Sequence, residues 1–470
     1  MLLLMNRINI KKLYTAAALS GIMLLGYSCS EYDHPTYSPE TVEKVKIEGK
    51  ALYLPQEFQG QDWNTDENDY SYKRMALTDN LAIFWEKKFG SDLSNPPQLD
   101  GNSMKVDLQN LKSRLETFYT YYRDKLQFVK TGSLSEKYRM MVMLQYSLDG
   151  TAYGGSYDNK VGAFWAAPNR LQDTKLNAVA HELGHSFQLQ LIADGQGSGW
   201  GGQSGFFEMT SQWMLWQVNP DWMEDENYHW DAFKSLTYRA FLHEDNLYHS
   251  PYVLEYWSQK HGLPFIAEMY RKSTASEDPA QTYIRMNGLT QEQYVDEMFD
   301  CYQHIVNLDY DRVYDKTRRW ANSYSSFKSE MTALSDGWYQ VKPEQCPENF
   351  GFNIIKLSVP EAGSTVKVDF VGLEGKNVKT DGYTNPKSEY ADYRYGFVGI
   401  TEDGKSVIGD AGKATSDHLS GSVSFTAPSG SKLKYLWLVV MGGSSEYWTL
   451  SQVPQAQWPY KIKITGSDLL

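Results

Sequence analysis

Hydrophobic and polar residues in the first part of the chain follow two different periods. Residues 76–85 (ALTDNLAIFW) contain a predicted strand, and residues 138–146 (YRMMVMLQY) form a second one. Between them, apolar residues recur at helical spacing over residues 104–122. Residues 151–168 (TAYGGSYDNKVGAFWAAP) have the pattern of extended chain interrupted by glycines. This part of the chain is therefore expected to combine a sheet with helices.

The pattern changes further along the chain. Residues 220–340 are predicted to be mainly helical, and a capping box from Thr290 to Gln293 marks one helix start. Beyond residue 350, apolar and polar residues alternate, which is typical of antiparallel strands. The predicted strands are residues 365–370, 395–400, 422–426, 435–441 and 460–465. We therefore expect an α+β domain at 51–345, followed by a C-terminal antiparallel β-sandwich at 350–470.

One predicted helix carries side chains that suit a metal ion. It has polar start signals at residues 173–174 and stops at the glycines after Ala193. Its opposite sides differ, because His181, Glu182 and His185 (HELGH) share one side and apolar residues occupy the other. The apolar side consists of Leu176, Ala180, Leu183, Phe187 and Leu191. Two imidazoles four residues apart, with a carboxylate between them, are the smallest helical arrangement that holds zinc beside a general base.

A third ligand is expected from the next helix. A glycine-rich loop, residues 194–205, leads into an apolar helix that Asn219 and Pro220 stop. Glu208 lies near the start of this helix among Phe, Met and Trp residues. A carboxylate in such surroundings is costly unless it is paired or bound to a metal. The alternative interpretation is a first-turn acidic residue that the helix dipole favours.

These motifs resemble those of a known group of enzymes. HELGHSFQ, followed by the sequence GFFE that ends at Glu208, resembles the HExxH…GxxE signature of gluzincins, the zinc peptidases with two His ligands and one Glu ligand. More narrowly, the chain is similar to the enhancin-like, mucin-degrading branch, and its layout resembles bacterial surface lipoproteins with a zincin core and a β-rich tail. The resemblance implies a zincin-like domain with an α/β upper part at 51–193 and a helical lower part at 206–340. It further implies Zn²⁺ ligands at His181, His185 and Glu208, with Glu182 as the general base.

The chain departs from the gluzincin pattern at one position. Many gluzincins have an acidic residue four positions after the ligand Glu, where it orients the first histidine, and this chain has Gln212 there. The amide oxygen of a glutamine still accepts a hydrogen bond from an imidazole, but it leaves the ring less basic than a carboxylate does. The resemblance also implies an edge strand that binds extended substrate, with residues 152–155 and 162–165 as candidates. An ordinary edge hairpin is the other interpretation.

A peptidase also needs a donor for the oxyanion of its transition state. In gluzincins a Tyr or His from a later helix often fills this role, and residues 248–257 are a plausible source here. Tyr248 is the first candidate, Tyr252 on the same predicted helix face is the second, and His249 is the third. A buried core tyrosine is the common alternative for each. The remaining histidines without ligand spacing, His229, His243 and His261, are expected to be structural or exposed.

The amino-terminal residues predict export. Residues 1–28 contain basic positions followed by an apolar stretch of signal-peptide length at 13–25. Cys29 follows a small residue, which resembles a lipobox and implies a lipidated cysteine, with residues 29–50 as a polar tether. The acidic residues after Cys29 resemble an export signal of Gram-negative surface lipoproteins. The prediction is a lipid-anchored protein of the outer membrane or cell surface, or a secreted or periplasmic one if Cys29 is not lipidated.

Charge and cysteine content narrow the functional classes. The net charge is −13, and removing residues 1–28, which hold three basic residues and no acidic one, takes it to −16. An acidic protein repels nucleic acid and anionic headgroups, so we expect no nucleic-acid partner and a membrane contact through the lipid anchor alone. Cys301 and Cys346 either form one disulfide or stay separate as buried thiols.

Two functions from different classes remain. The first is a surface-anchored zinc endopeptidase that hydrolyses extracellular protein or mucin-like glycoprotein, with Glu182 as the base for a zinc-activated water. The second is a non-catalytic lipoprotein that keeps a zincin core and binds glycans or a protein partner. The aromatic residues Trp448 and Trp458 of the tail either bind sugars or pack in the sandwich. The sequence makes no prediction about oligomeric state.

Overall fold

The computed structural model describes residues 49–201, 204–321, 327, 329–449 and 456–470. The predicted signal segment, Cys29 and the tether up to residue 48 lie outside the described residues. The chain from Gly49 to Leu470 forms one compact unit that contains both helices and sheets. Within the described ranges, no helix is both long enough and apolar enough to cross a membrane.

Helices make up most of the chain between residues 177 and 321, as the sequence pattern predicts. The described residues contain eleven α-helices. They are α1 (Leu108–Asp124), α2 (Leu134–Lys137), α3 (Asn177–Ala193), α4 (Ser204–Val218), α5 (Trp222–Asp225), α6 (Tyr228–Lys234), α7 (Tyr252–His261), α8 (Phe265–Lys272), α9 (Pro279–Asn287), α10 (Gln291–Asn307) and α11 (Tyr314–Ala321). The predicted capping box is confirmed at the start of α10, where Thr290 and Gln293 exchange hydrogen bonds.

A mixed five-stranded sheet lies at the amino-terminal end of the fold. Its strands are β1 (Met75–Leu77), β2 (Leu81–Trp85), β3 (Met140–Leu144), β4 (Ala152–Tyr157) and β5 (Val161–Ala166), in the order β1-β2-β3-β5-β4. Strands β2, β3 and β5 are parallel, whereas β1 and β4 pair antiparallel with their neighbours. The strand predictions for this region are confirmed. The candidate edge segment 162–165 is wrong, because β5 is paired on both sides, and of the two candidate segments only the one in β4 lies at an edge of the described sheet.

Helices α1 and α3 pack together through aromatic side chains. The rings of Tyr119 and Tyr122 on α1 lie 4.9 and 5.5 Å from the ring of Phe187 on α3. The Tyr122 hydroxyl also donates to the carbonyl of Ala180, at 3.0 Å. Because α3 is held over its length by buried contacts, its polar side keeps a fixed direction.

The carboxy-terminal part forms two antiparallel sheets. The strands are β6 (Met331–Ala333), β7 (Trp338–Val341), β8 (Phe352–Leu357), β9 (Thr365–Gly372), β10 (Asp392–Thr401), β11 (Ser406–Thr415), β12 (Ser420–Thr426), β13 (Leu433–Met441) and β14 (Tyr460–Thr465). One sheet has the order β11-β10-β13-β8 and the other the order β12-β9-β14-β7-β6. The fold is therefore an α+β domain followed by a β-rich carboxy-terminal part, and all five predicted strands of that part are confirmed.

Burial decides two further expectations, one about the tryptophans of the carboxy-terminal part and one about the two cysteines. Trp448 and Trp458 are 3% and 0% exposed and lie in the hydrophobic core of the carboxy-terminal part, so sugar binding through either indole is wrong. Cys301 and Cys346 are both buried and carry free thiols, each in a different hydrophobic core. The described structure therefore has separate thiols at these two positions.

A buried ion pair connects three segments of the helical region. The Glu255 carboxylate on α7 is 2% exposed and accepts two hydrogen bonds from the Arg312 guanidinium, at 2.8 and 3.0 Å. It also accepts from the indole of Trp213 and the amide of Gln217, both on α4. Removing this one acceptor would leave several buried donors without a partner.

We expect Glu255→Leu to lower the free energy of unfolding by about 3 kcal/mol, because one charge of a buried pair stays uncompensated. Thermal and urea denaturation measure this effect. Arg319→Ala is the matched control, since Arg319 and Glu224 form an exposed pair, and such pairs contribute about 0–1 kcal/mol. Equal denaturation midpoints for the two variants would contradict the prediction.

Candidate metal centre

The position of α3 brings the HELGH motif to a buried junction with α4. The five predicted apolar residues of the helix are all buried, and His181 on the other side is 7% exposed. The helix begins at Asn177, three residues later than its start signal suggests, although the Asp173 carboxylate still accepts from the Asn177 amide. Gly184 allows α4 to approach closely, because a Cβ there would lie 2.5 Å from the Ser211 hydroxyl.

Three potential ligand atoms meet at this junction. The Nε2 atoms of His181 and His185 are 3.1 Å apart, and each is 3.1 Å from Oε2 of Glu208. A point about 2.1 Å from all three atoms, the usual distance for a zinc ligand, lies roughly 1.1 Å outside their plane. A carboxylate oxygen of Glu182 also lies within 4.8 Å of the imidazole nitrogens. The donor set and its spacing therefore fit one zinc ion with a carboxylate next to it.

Two buried glutamines determine how the imidazoles are oriented. The Gln212 amide nitrogen donates to the Tyr248 carbonyl, so its oxygen faces Nδ1 of His181, at 2.6 Å. The Gln188 amide nitrogen donates to the Phe207 carbonyl, and its oxygen faces Nδ1 of His185, at 2.9 Å. An amide oxygen only accepts, so both rings donate from Nδ1. Both Nε2 lone pairs then point towards Glu208.

Gln188 is the residue of the site that the sequence analysis missed. It lies three positions after His185 in the motif HELGHSFQ, on a neighbouring helix position. A buried polar residue one turn from a candidate ligand is the signal that indicates it. In the structure its side chain is fully buried.

The electrostatics of the cluster favour a positive charge at its centre. Burial alone would lower the pKa of His185, but the Glu208 and Glu182 carboxylates raise it to about 9. Burial would raise the pKa of Glu208, whereas the two imidazoles hold it well below its usual range. Three lone pairs directed at one point repel each other unless a cation or a proton lies between them.

The edge strand β4 lies directly against α3. A Cβ at Gly154 would lie 2.3 Å from the Glu182 carbonyl oxygen and 2.5 Å from Cβ of His185. Glycine is therefore required at this position for the strand to approach α3. Among the described residues β4 pairs with β5 alone, so the strand that contacts α3 at Gly154 is also an edge strand of the sheet.

Gly154→Ala should separate β4 from α3 and lower the free energy of unfolding by about 1–3 kcal/mol, the usual cost of overpacking. Denaturation curves measure the loss. Gly430→Ala provides the control, because a Cβ at Gly430 has nothing within 4 Å. A Gly154→Ala protein as stable as the Gly430→Ala protein would show that the contact is not tight.

The three candidates for an oxyanion donor differ in burial and in their distance from the ligand cluster. Tyr248 is 43% exposed, and its ring lies 5.9 Å from the ring of His181. Tyr252 starts α7 and is fully buried, so the expectation that it shares a helix face with Tyr248 is wrong. The rings that surround Tyr252 are those of Trp216, Trp230 and Phe233. The structure thus brings Tyr248, and not Tyr252, next to the ligand cluster.

The third candidate, His249, is engaged by another histidine. Its Nδ1 lies 2.7 Å from Nδ1 of His229, and burial together with His229 lowers the pKa of His249 to about 4. His243 accepts from the Asp245 amide, and His261 lies 2.8 Å from the Tyr283 hydroxyl. These contacts agree with structural roles for His229, His243 and His261.

The described part of the glycine-rich loop is anchored to the helices that follow. The amides of Ser198 and Gly199 donate to the Ser273 hydroxyl at the end of α8. The indole of Trp200, which is 1% exposed, donates to the Thr282 hydroxyl on α9 at 2.7 Å. These contacts fix the direction in which the chain leaves α3 before α4 begins.

Comparison with known proteins identifies one family. The profile of a family of unknown function, DUF6055, matches residues 44–470, which is nearly the whole chain and includes every residue of the ligand cluster. No curated protein matches the chain.

Proposed function

The chain belongs to the DUF6055 family, and we propose that it is a zinc-dependent endopeptidase of the zincin type, acting on extracellular protein or mucin-like glycoprotein. The observation that supports this proposal is the 3.1 Å triangle of His181 Nε2, His185 Nε2 and Glu208 Oε2. Two imidazoles and one carboxylate are a ligand set used by catalytic zinc, which keeps its fourth position for water or substrate.

The three side chains would hold the ion, and the chain's other residues would carry the proton transfers. A bound zinc ion supplies an activated water and polarises the carbonyl of a peptide. Glu182 lies beside the cluster and is partly exposed, so its carboxylate can take a proton from water and pass it to the leaving amine. Tyr248 lies at the same cluster and would donate from its hydroxyl to the developing oxyanion. Tyr252 is not part of this proposal, because it is buried in the core.

Substrate would be bound along the outer edge of β4. The strand packs on α3 at Gly154, and its outer side has no neighbouring strand among the described residues. An extended peptide can add to such an edge through main-chain hydrogen bonds. Main-chain binding selects for an extended backbone and leaves sequence preference to side-chain contacts.

The proposed location is the outer membrane or cell surface. It depends on the sequence features of residues 1–28 and on Cys29, which would carry the lipid, with residues 29–50 as the tether. A lipid anchor together with a net charge of −16, the value after residues 1–28 are removed, would hold the protein at a membrane without attracting it to anionic headgroups. Labelling with a radioactive or clickable fatty acid, lost in Cys29→Ala, tests this anchor.

A second candidate function is a non-catalytic lipoprotein that binds glycans or a protein and keeps the zincin core. One observation favours it. Tyr153 on β4 is 44% exposed and stacks on Trp165 at 4.9 Å, with the ring planes 10° apart. An exposed aromatic stack of this kind is a usual feature of binding surfaces.

Hydrolysis assays separate the two candidates. Zinc-loaded protein is incubated with casein, mucin and collagen, before and after treatment with a chelator. The proposal expects cleavage of at least one substrate, its loss on chelation, and its recovery when zinc is added back. A protein that binds zinc and cleaves none of the panel would support the binding function.

A further inference from the structure

Two buried glutamines, one on α3 and one on α4, each form a hydrogen bond to the other helix. Gln188 on α3 accepts from the His185 ring of its own helix and donates to the Phe207 carbonyl on α4. Gln212 on α4 accepts from the His181 ring on α3. The Phe207 carbonyl belongs to the residue directly before Glu208. The side-chain amide of Gln188 therefore contacts one candidate ligand, His185, and the main chain next to another, Glu208.

We propose that Gln188 is a positioning residue of the metal centre, fixing the Nδ1–H form of His185 while holding the main chain that carries Glu208. This inference rests on the proposed metal centre. It adds a residue that acts through His185 and Glu208 and touches neither water nor substrate.

The hydrogen-bond capacities of the groups leave one arrangement. The Gln188 amide nitrogen lies 2.9 Å from a carbonyl oxygen, and a flipped amide would bring two acceptors together there. With the amide fixed, its oxygen faces Nδ1 of His185, at 2.9 Å, and that nitrogen must carry the proton. The other tautomer would place a lone pair against the amide oxygen and turn an N–H towards the Nε2 atom of His181.

Both imidazoles are thus oriented by neutral amides. A carboxylate partner would make each ring a stronger ligand, whereas an amide fixes direction without adding charge. The cluster therefore obtains its negative charge from Glu208 and the adjacent Glu182 alone. We therefore expect Gln188 to raise zinc affinity by fixing the orientation of the His185 ring, and not by adding negative charge.

Gln190 offers a matched control in the same helix. It is as fully buried as Gln188, and its amide also accepts one hydrogen bond and donates others. Its oxygen accepts from the Gly162 amide at 2.9 Å, and its nitrogen donates to the Lys160 carbonyl at 3.1 Å and to the Asp194 carboxylate at 3.0 Å. Loss of this amide should disturb packing against β5 and leave the His185 ring unchanged.

The experiment compares Gln188→Leu and Gln190→Leu in the full chain. Zinc affinity is measured by competition with a chromophoric chelator. Imidazole N–H protons are followed by NMR with ¹⁵N-labelled histidine, with the His185 signal assigned by its loss in His185→Asn. Gln188→Leu should weaken zinc binding by about 10–100-fold, and the Nδ1–H of His185 should exchange quickly with solvent. Gln190→Leu should retain both properties of the wild-type protein.

A conservative variant tests the role of the acceptor. Gln188→Glu keeps an oxygen for the His185 ring but loses the donor to the Phe207 carbonyl, so its Nδ1–H should exchange more slowly than in Gln188→Leu and faster than in the wild-type protein. The proposal is overturned if Gln188→Leu binds zinc as wild type does, or if Gln190→Leu weakens binding equally. The zinc-affinity and N–H measurements need no substrate. If the variants show the expected effects but the wild-type protein cleaves no substrate, the peptidase function is contradicted and the role of Gln188 is not.

Discussion

Replacing Glu182 with Gln should lower kcat for a protein substrate by about 10²–10⁴-fold, the usual contribution of a general base. The physical reason is that an amide cannot take a proton from water at neutral pH, although it has almost the shape of the carboxylate. Zinc affinity should change little, because the carboxylate ligand of the proposed centre is Glu208, whose Oε2 lies 3.1 Å from both imidazole nitrogens. The measurement is the initial rate of cleavage at saturating substrate, together with zinc content.

Glu361→Gln is the control for this prediction, since it makes the same chemical change at an exposed loop position. It should cleave substrate at the wild-type rate. If Glu182→Gln retained the wild-type kcat with zinc bound, Glu182 would not be the base. If Glu182→Gln also lost zinc, its carboxylate would have to be a ligand.

Replacing Glu208 with Gln should weaken zinc binding by more than about 100-fold, which exceeds the usual effect of changing a residue behind a ligand. Its carboxylate is the charged member of the triangle, and its Oε2 lies 3.1 Å from both imidazole nitrogens. A neutral amide there would remove the negative charge that attracts the cation. Its oxygen is a weaker zinc ligand than a carboxylate oxygen, and its NH2 group cannot bind the ion. Cleavage should fall to background at zinc concentrations that saturate the wild-type protein.

Glu226→Gln is a stringent control for Glu208→Gln. The Glu226 carboxylate also contacts a histidine, with its Oε2 3.5 Å from Nε2 of His229, and it accepts from the Trp222 indole. It belongs to a different cluster, so the variant should bind zinc with wild-type affinity. Equal loss of zinc in both variants would show that the Glu208 effect is a general consequence of disturbing a buried carboxylate.

Part of the site was predictable because its signals are local. The spacing of His181 and His185 and the apolar side of α3 are properties of residues within a few turns of each other, and the structure agrees with both. Glu208 was expected to lie near a partner or a metal ion, because burying an unpaired carboxylate among apolar residues is costly. The strands of the carboxy-terminal part were predictable for the same reason, since the pattern of a segment of five to seven residues indicates a strand without knowledge of its partners.

Other features depended on partners far away in the chain. Residues 152–155 (AYGG) and 162–165 (GAFW) both combine glycine with aromatic residues, yet β5 pairs with β3 while β4 stays at the edge. Tyr248 and Tyr252 are four residues apart, which would place them on one face of a helix. In the structure α7 begins only at Tyr252, whose ring is buried. Burial of Trp448 likewise follows from the way two sheets close on each other.

By itself, the sequence determined the period of each element, the α+β order of the chain and the chemical identity of the cluster, because these are properties of neighbouring residues. Only the tertiary structure decided which nitrogen of each imidazole faces Glu208, which strand has an open edge, and that Gln188 connects His185 to α4. The reason is physical. A hydrogen bond has a direction only when both partners have positions in space, and here those partners come from segments separated in the chain.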